Sequence, residues 1–161
     1  MTQKFVPDSF ELPETVVSSE FRLEVLEPTV AEIDYEVVMA SRKRLQSVFD
    51  EHDDWPSETM TLEYNISDLE RHFREFKARF AFAYTVREPD GDGYWGCVYI
   101  NPSTSDFDAE VFVWMSDEEV SRDESLYLFV RDWLANDWPF ARVAYPGREI
   151  PWDKWHELLG Q

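Results

Sequence analysis

The sequence predicts a mixed α+β domain built on one central, mostly antiparallel sheet flanked by helices, and three observations carry that prediction. Alternating strand patterns recur from Ala81 to Met115 with a turn segment and a polar connection between them. Two amphipathic helix patterns stand on either side of this run. The chain has 161 residues and is 43% hydrophobic, enough for one core of ordinary size. Residues 1–20 read as an extended arm, because Pro7 and Pro13 interrupt scattered apolar residues, and residues 21–161 as the single domain.

The elements follow in order. Phe21, Leu23 and Val25 alternate with Arg22, Glu24 and Leu26, the pattern of a first strand ending before Pro28. A helix starting at Thr29 or Asp34 carries Tyr35, Val38, Met39, Leu45 and Phe49 on one side, and Asp50 to Met60 is an acidic loop broken by Pro56. Ile66, Leu69, Phe73, Phe76 and Phe80 recur at steps of three and four, giving a second helix. Ser67 and Glu70 have capping-box spacing, and Glu70–Arg74 and Glu75–Arg79 stand at the favourable four-residue offset. Ala81–Val86 and Tyr94–Ile100 read as a hairpin about the turn Glu88 to Gly93, and Ala109–Met115 as a third strand after the connection Asn101 to Asp108. Ser121 and Glu124 offer a second capping box before a helix bearing Leu126, Phe129, Val130, Trp133 and Leu134. A strand over Ala141–Tyr145 and a short helix over Pro151–Leu159 complete the pattern.

Composition narrows the partners. The formal charge is -19, from 34 acids against 15 bases. Such a surface repels phosphate backbones and anionic lipid headgroups, which argues against nucleic acid and membranes and favours a basic protein or a cationic small molecule. The single cysteine, Cys97, cannot form an internal disulfide, and the start of the chain lacks a signal-peptide pattern, so a cytoplasmic protein is expected. His52, His72 and His156 lack metal-ligand spacing, and no metal site is expected. Trp138, Trp152 and Trp155 read as core filling, with a ligand groove or partner patch as the alternative.

The order of elements, together with Asp34-Tyr35-Glu36-Val37-Val38-Met39-Ala40-Ser41-Arg42, Trp55-Pro56 before Thr61-Leu62-Glu63, and Tyr94-Trp95-Gly96-Cys97-Val98-Tyr99-Ile100, resembles the GNAT superfamily of N-acetyltransferases. The resemblance implies acetyl-CoA as the acyl donor and a small amine or a protein amino group as the acceptor. It places a carbonyl-polarising backbone amide in the strand Ala109–Met115, at Val113 or Met115, and a thiolate acid in the last helix, where His156 stands. Glu110, the carboxylate within that strand, is the candidate general base, and Arg122 the candidate anion contact. The resemblance also implies two further strands past the last helix, so the sheet is expected to be shortened at its C-terminal end. A second copy in a homodimer would then complete the acceptor pocket, or the N-terminal arm would cover the sheet edge.

One departure stands out. The family rests the pyrophosphate on glycine-rich backbone at the start of the third helix, whereas this chain has no glycine from Cys97 to Pro146. Asp117, Glu118, Glu119, Asp123 and Glu124 crowd that place instead, where they can cap a helix and complement its dipole. Two functions stay open at this point: a divergent N-acetyltransferase, or a non-catalytic module of the same fold whose acidic face binds a basic protein.

Overall fold

The computed structural model describes residues 4–160; the first three residues of the expected arm and Gln161 lie outside them. Six strands form one sheet in sequence order: β1 (Thr15–Val17), β2 (Arg22–Val25), β3 (Phe82–Arg87), β4 (Tyr94–Pro102), β5 (Ala109–Met115) and β6 (Val143–Ala144). All neighbours are antiparallel except β5 and β6, which run parallel. The helices are α1 (Ala31–Ala40), α2 (Arg42–Leu45), α3 (Leu62–Lys77), α4 (Asp123–Asp137) and α5 (Trp152–Leu158). Short 3₁₀ segments over Pro28–Val30 and Asp117–Arg122 lead into α1 and α4. No helix among the described residues is long and apolar enough to cross a membrane.

The two sheet faces bury separate cores. Val98, Ile100, Val111, Val113 and Met115 pack with Leu126, Val130, Trp133 and Leu134 of α4. The arm joins this core through Val6, Phe5 and Phe10, and Phe5 stacks on Phe82 and Phe140. Cys97, Tyr99, Phe112 and Trp114 face the other way, toward Val38, Leu45 and Leu69 of the first three helices. Period-two alternation from Cys97 to Ile100 and from Val111 to Met115 therefore assigns these residues to one helix layer or the other. Gly96 lies directly opposite Met115, and a Cβ there would stand 2.0 Å from the Trp114 carbonyl oxygen, so only glycine permits this approach of the two strands.

Local details differ from the sequence expectations at helix ends. The arm is not merely extended, since Thr15–Val17 pairs with β2 and forms the edge opposite β6. The first helix breaks at Ser41, whose hydroxyl accepts from the Asp117 N–H. α3 starts five residues before Ser67, capped by Thr61, whose hydroxyl accepts from the Tyr64 N–H. Ser67 bonds the Tyr64 carbonyl instead, and Arg71, not Arg74, forms the helix-face ion pairs, with Asp68 and Glu75. Arg79 leaves the helix at φ 65 and donates to the carbonyls of Pro7 and Phe10, which ties down the arm. Phe80 consequently projects from the surface at 66% exposure rather than packing on the core. Ser121 does not cap α4 either; the 3₁₀ segment supplies that turn.

The pairing of β5 with β6 covers only Ala109↔Val143 and Glu110↔Ala144. Beyond it the chain turns away at Pro146 and at Gly147, whose φ is 80. On the other side of β5, Ser116 donates its N–H to Trp95 at 2.7 Å, so even-numbered residues of β5 direct their backbone toward β4. The odd-numbered residues, Val113 and Met115 among them, direct theirs into the gap. Two guanidinium groups answer the carbonyls there. Arg148 donates to Val113 at 3.2 Å while holding Asp123 at 2.8 and 3.0 Å. Arg44 donates to Met115 while holding Asp117 at 2.8 Å.

A buried polar cluster lies under the same sheet face. Asp34 is 3% exposed and receives hydrogen bonds from the Tyr94 hydroxyl and, at 2.9 Å, from the Asn65 amide. Burial pushes its carboxyl above the ordinary aspartate value, outweighing those two bonds. An acid whose folded pKa is raised gives stability that is complete below its unfolded value and is lost as pH rises toward the folded one. Relative to Asp34→Asn, the natural chain should therefore lose stability as pH rises above about 4. Urea unfolding at pH 4 and pH 7 measures this, and a pH-independent difference contradicts it. Replacing Arg148 by Met should lower unfolding free energy by about 1–3 kcal/mol by stripping the Val113 carbonyl of its charged partner. An unchanged urea midpoint would mean that the guanidinium does not close this edge.

Candidate functional site

Where β5 and β6 part, the gap forms a cavity of about 280 Å³. Val111 to Trp114 form one side, Pro146, Gly147 and Arg148 the other, and Arg44, Val48 and Trp152 the rim. Gly147 is needed at this bend for two reasons: its φ is positive, and an added Cβ would stand 2.6 Å from the Trp152 ring. The cavity has a backbone wall whose hydrogen-bonding direction is set by the β4–β5 ladder. An extended ligand lying in the gap meets the N–H groups of Val113 and Met115 as a sixth-strand continuation would.

The residues expected from sequence fall at different distances from this gap. Val113 lines it, and Met115 lends it the carbonyl that Arg44 holds. Glu110 sits at the closed apex, in the last residue pair before the strands separate, on the sheet face shared with Phe112 and Trp114. One of its carboxylate oxygens accepts from the Thr104 N–H and hydroxyl at 3.2 and 3.1 Å. Partial burial raises its pKa against the opposing effect of those bonds.

His156 is half-buried on α5, with Nε2 2.8 Å from Asp50 and Nδ1 3.7 Å from Glu51. It thereby clasps α5 to the loop after α2, and it meets the cavity through Trp152, whose ring stacks on its own at 6.2 Å. Although burial opposes it, the His52 N–H and the His156 ring hold Asp50 below the usual aspartate value. No hydrogen bond or ion pair among the described residues joins Glu110 to His156.

Arg122 turns elsewhere. Its guanidinium lies over Trp95, 4.5 Å from the ring centroid, and pairs with Glu119 at 2.8 Å. The arginines at the gap are Arg44 and Arg148, which sequence reading passed over. Neither has a motif: one lies in a basic half-turn, the other after a Pro-Gly bend, and only the chain path brings both to β5. Two of the five acids at the expected phosphate cradle are the partners of these arginines, Asp117 for Arg44 and Asp123 for Arg148. The three tryptophans divide as well. Trp138 packs among Phe10, Phe82, Trp133 and Phe140, Trp155 is buried beside Phe107, and Trp152 lines the gap.

A second cavity, about 470 Å³, lies between α3, the loop around Phe49 to Trp55 and the end of β4. His72 lines it, 3.5 Å from Asp68 and with its ring 5.4 Å from that of Tyr99. Asp68 and His72 stand four residues apart on α3, a spacing legible in the sequence that puts both on one helix face. No group of three or more His, Cys, Asp or Glu side chains among the described residues is placed to hold a metal ion.

No protein-family model matches the sequence, and no curated protein does. Solved structures match the fold. The ribosomal-protein-S5-alanine acetyltransferase from Vibrio fischeri superposes with a TM-score of 0.59 at 17% identity, over 91% of this chain and 81% of that one. The microcin C7 self-immunity acetyltransferase MccE, in complex with acetyl-CoA and AMP, gives 0.57 at 13% identity, over 78% and 70%. RimL, a ribosomal L7/L12 alpha-N-protein acetyltransferase, gives 0.56 at 16% identity, over 82% and 71%. Likeness at these identities is likeness of architecture, and the chain shares the mixed α+β fold of these acetyltransferases.

Proposed function

We propose that the protein is a divergent GNAT N-acetyltransferase that moves an acetyl group from acetyl-CoA to an amine. The observation that carries this reading is the parting of β5 from β6, which leaves the N–H groups of Val113 and Met115 facing a gap with no strand to take them. The fold shared with the acetyltransferases described above supports the same reading.

Acetyl-CoA supplies an activated acyl group as a thioester. The N–H groups of Val113 and Met115 would hold the extended part of such a ligand and polarise its acyl carbonyl. The start of α4 fits the pyrophosphate poorly, because its acids stand where phosphates would go. Arg44 and Arg148 fit it better, as two guanidinium groups that can exchange Asp117 and Asp123 for phosphate oxygens.

In the transfer, the amine nitrogen bonds to the acyl carbon and the carbon–sulfur bond breaks. One proton leaves the amine and one reaches the sulfur. Glu110 is the proposed base, placed at the apex of the gap with its pKa raised by desolvation, which makes it the stronger proton acceptor. His156 is the proposed acid, and it must first loosen its contact with Asp50.

Calorimetric titration with acetyl-CoA, followed by a coenzyme A release assay over a set of amines, tests the reading. Binding and turnover are expected. Glu110→Gln should lower kcat about a hundredfold while leaving acetyl-CoA affinity within twofold. Because the base acts when deprotonated, the acid limb of kcat/KM should fall as pH drops through a pKa above the usual glutamate value, and the variant should lose that limb. Full turnover in the variant removes Glu110 from the reaction. No binding at millimolar acetyl-CoA would leave a fold kept without its donor.

A further inference from the structure

The cavity between α3 and β4 has walls of aromatic rings and a floor of charge. Phe49, Trp55, Tyr64 and Tyr99 contribute the rings. Asp53, Asp68 and Glu75 contribute three carboxylates against one guanidinium, Arg71, so acidic groups predominate in the lining. Arg71 is shared between Asp68 at 2.7 Å and Glu75 at 2.8 Å, whereas Asp53 accepts only a long bond, 3.4 Å, from the Trp55 N–H. Aromatic faces attract cations, and a carboxylate without a cationic partner adds a directed charge.

The cavity also adjoins the gap. The Phe49 ring lies 5.0 Å from Tyr99 and 5.2 Å from Phe112, and Trp114 donates to the Tyr99 hydroxyl at 3.0 Å. Tyr99 faces the cavity while Phe112 and Trp114 face the gap, so one layer of rings separates the two.

We infer that this cavity binds an aliphatic ammonium group of the acceptor, and that it is not the nitrogen acetylated. The inference rests on the transfer reading above for the word acceptor, but the site itself does not. An amine must shed a proton before it attacks a thioester. A cavity with predominantly acidic groups and aromatic walls holds that proton on, because opposite charge favours the charged form. The nitrogen bound here is therefore an anchor, and the attacked nitrogen lies at the other end of the molecule. The site selects acceptors with two basic nitrogens joined by an alkyl chain, such as a diamine or the side chain and amino group of a basic peptide end.

The test titrates the whole chain, without acetyl-CoA, with 1,5-diaminopentane and with the uncharged 1,5-pentanediol at physiological salt. The diamine should bind at one site and the diol should not. Asp53→Asn and Tyr64→Ala should each weaken the diamine about three- to tenfold. Tyr64 is 54% exposed, so its loss leaves the core intact, and an unchanged melting temperature checks this. Equal binding of diamine and diol, or unchanged diamine affinity in both variants, overturns the site. In the release assay the diamine should be used at least tenfold better, by kcat/KM, than 1-aminopentane; equal use overturns the anchoring role. Diamine binding that depends on Asp53 and Tyr64 in a protein that ignores acetyl-CoA would keep the cation site and reject the transfer reading.

Discussion

The structure turns on how the far edge of β5 is satisfied once β6 leaves it after Glu110. A strand inside a sheet cannot leave its backbone groups unpartnered without a cost comparable to a lost hydrogen bond for each. Arg148 and Arg44 take the carbonyls of Val113 and Met115, and Asp123 and Asp117 balance the two guanidiniums. The N–H groups of the same residues point to the same side, away from β4. An asymmetry between served acceptors and free donors is what a ligand with carbonyl or amide oxygens along its length can complete.

This arrangement changes the meaning of the acids at the start of α4. By sequence they look like a cradle lost to charge, since carboxylates repel phosphate. In the fold, two of them are counter-ions that hold arginines against the strand edge. On the proposed reading, the phosphate-binding role of glycine-rich backbone passes to side chains, with Asp117 and Asp123 as the groups an anion would displace. Exchange of that kind costs the protein its internal ion pairs, and affinity for an anionic ligand should be correspondingly modest and sensitive to salt.

Much of the fold was legible. The strands between Phe82 and Met115 follow from alternation, because most apolar residues there pack into one of two cores. α3 was legible from Leu69 and Phe76, and its start was misplaced because Thr61 and Ser67 are both plausible caps and only packing chooses between them. The resemblance pointed to Val113 and Met115 in β5, but neither the parting of β5 from β6 nor its arginines was legible: Arg44 and Arg148 are 104 positions apart in the sequence, and their meeting depends on the Pro146-Gly147 bend. The aromatic cavity was hidden for the same reason, since Phe49, Tyr64 and Tyr99 come from three separate elements. Phe80 shows the limit of periodicity, which continues one step past the point where Arg79 turns the chain out of the helix.

The central claim is that the open edge of β5 receives the acyl donor. Amide NMR of the labelled protein during titration with acetyl-CoA tests it at the residues concerned. The account predicts that the Val113 and Met115 N–H resonances move furthest among the strand amides, and that the Arg148 side chain shifts with them. Saturating acetyl-CoA that leaves both amides in place, while perturbing another surface or none, would contradict it.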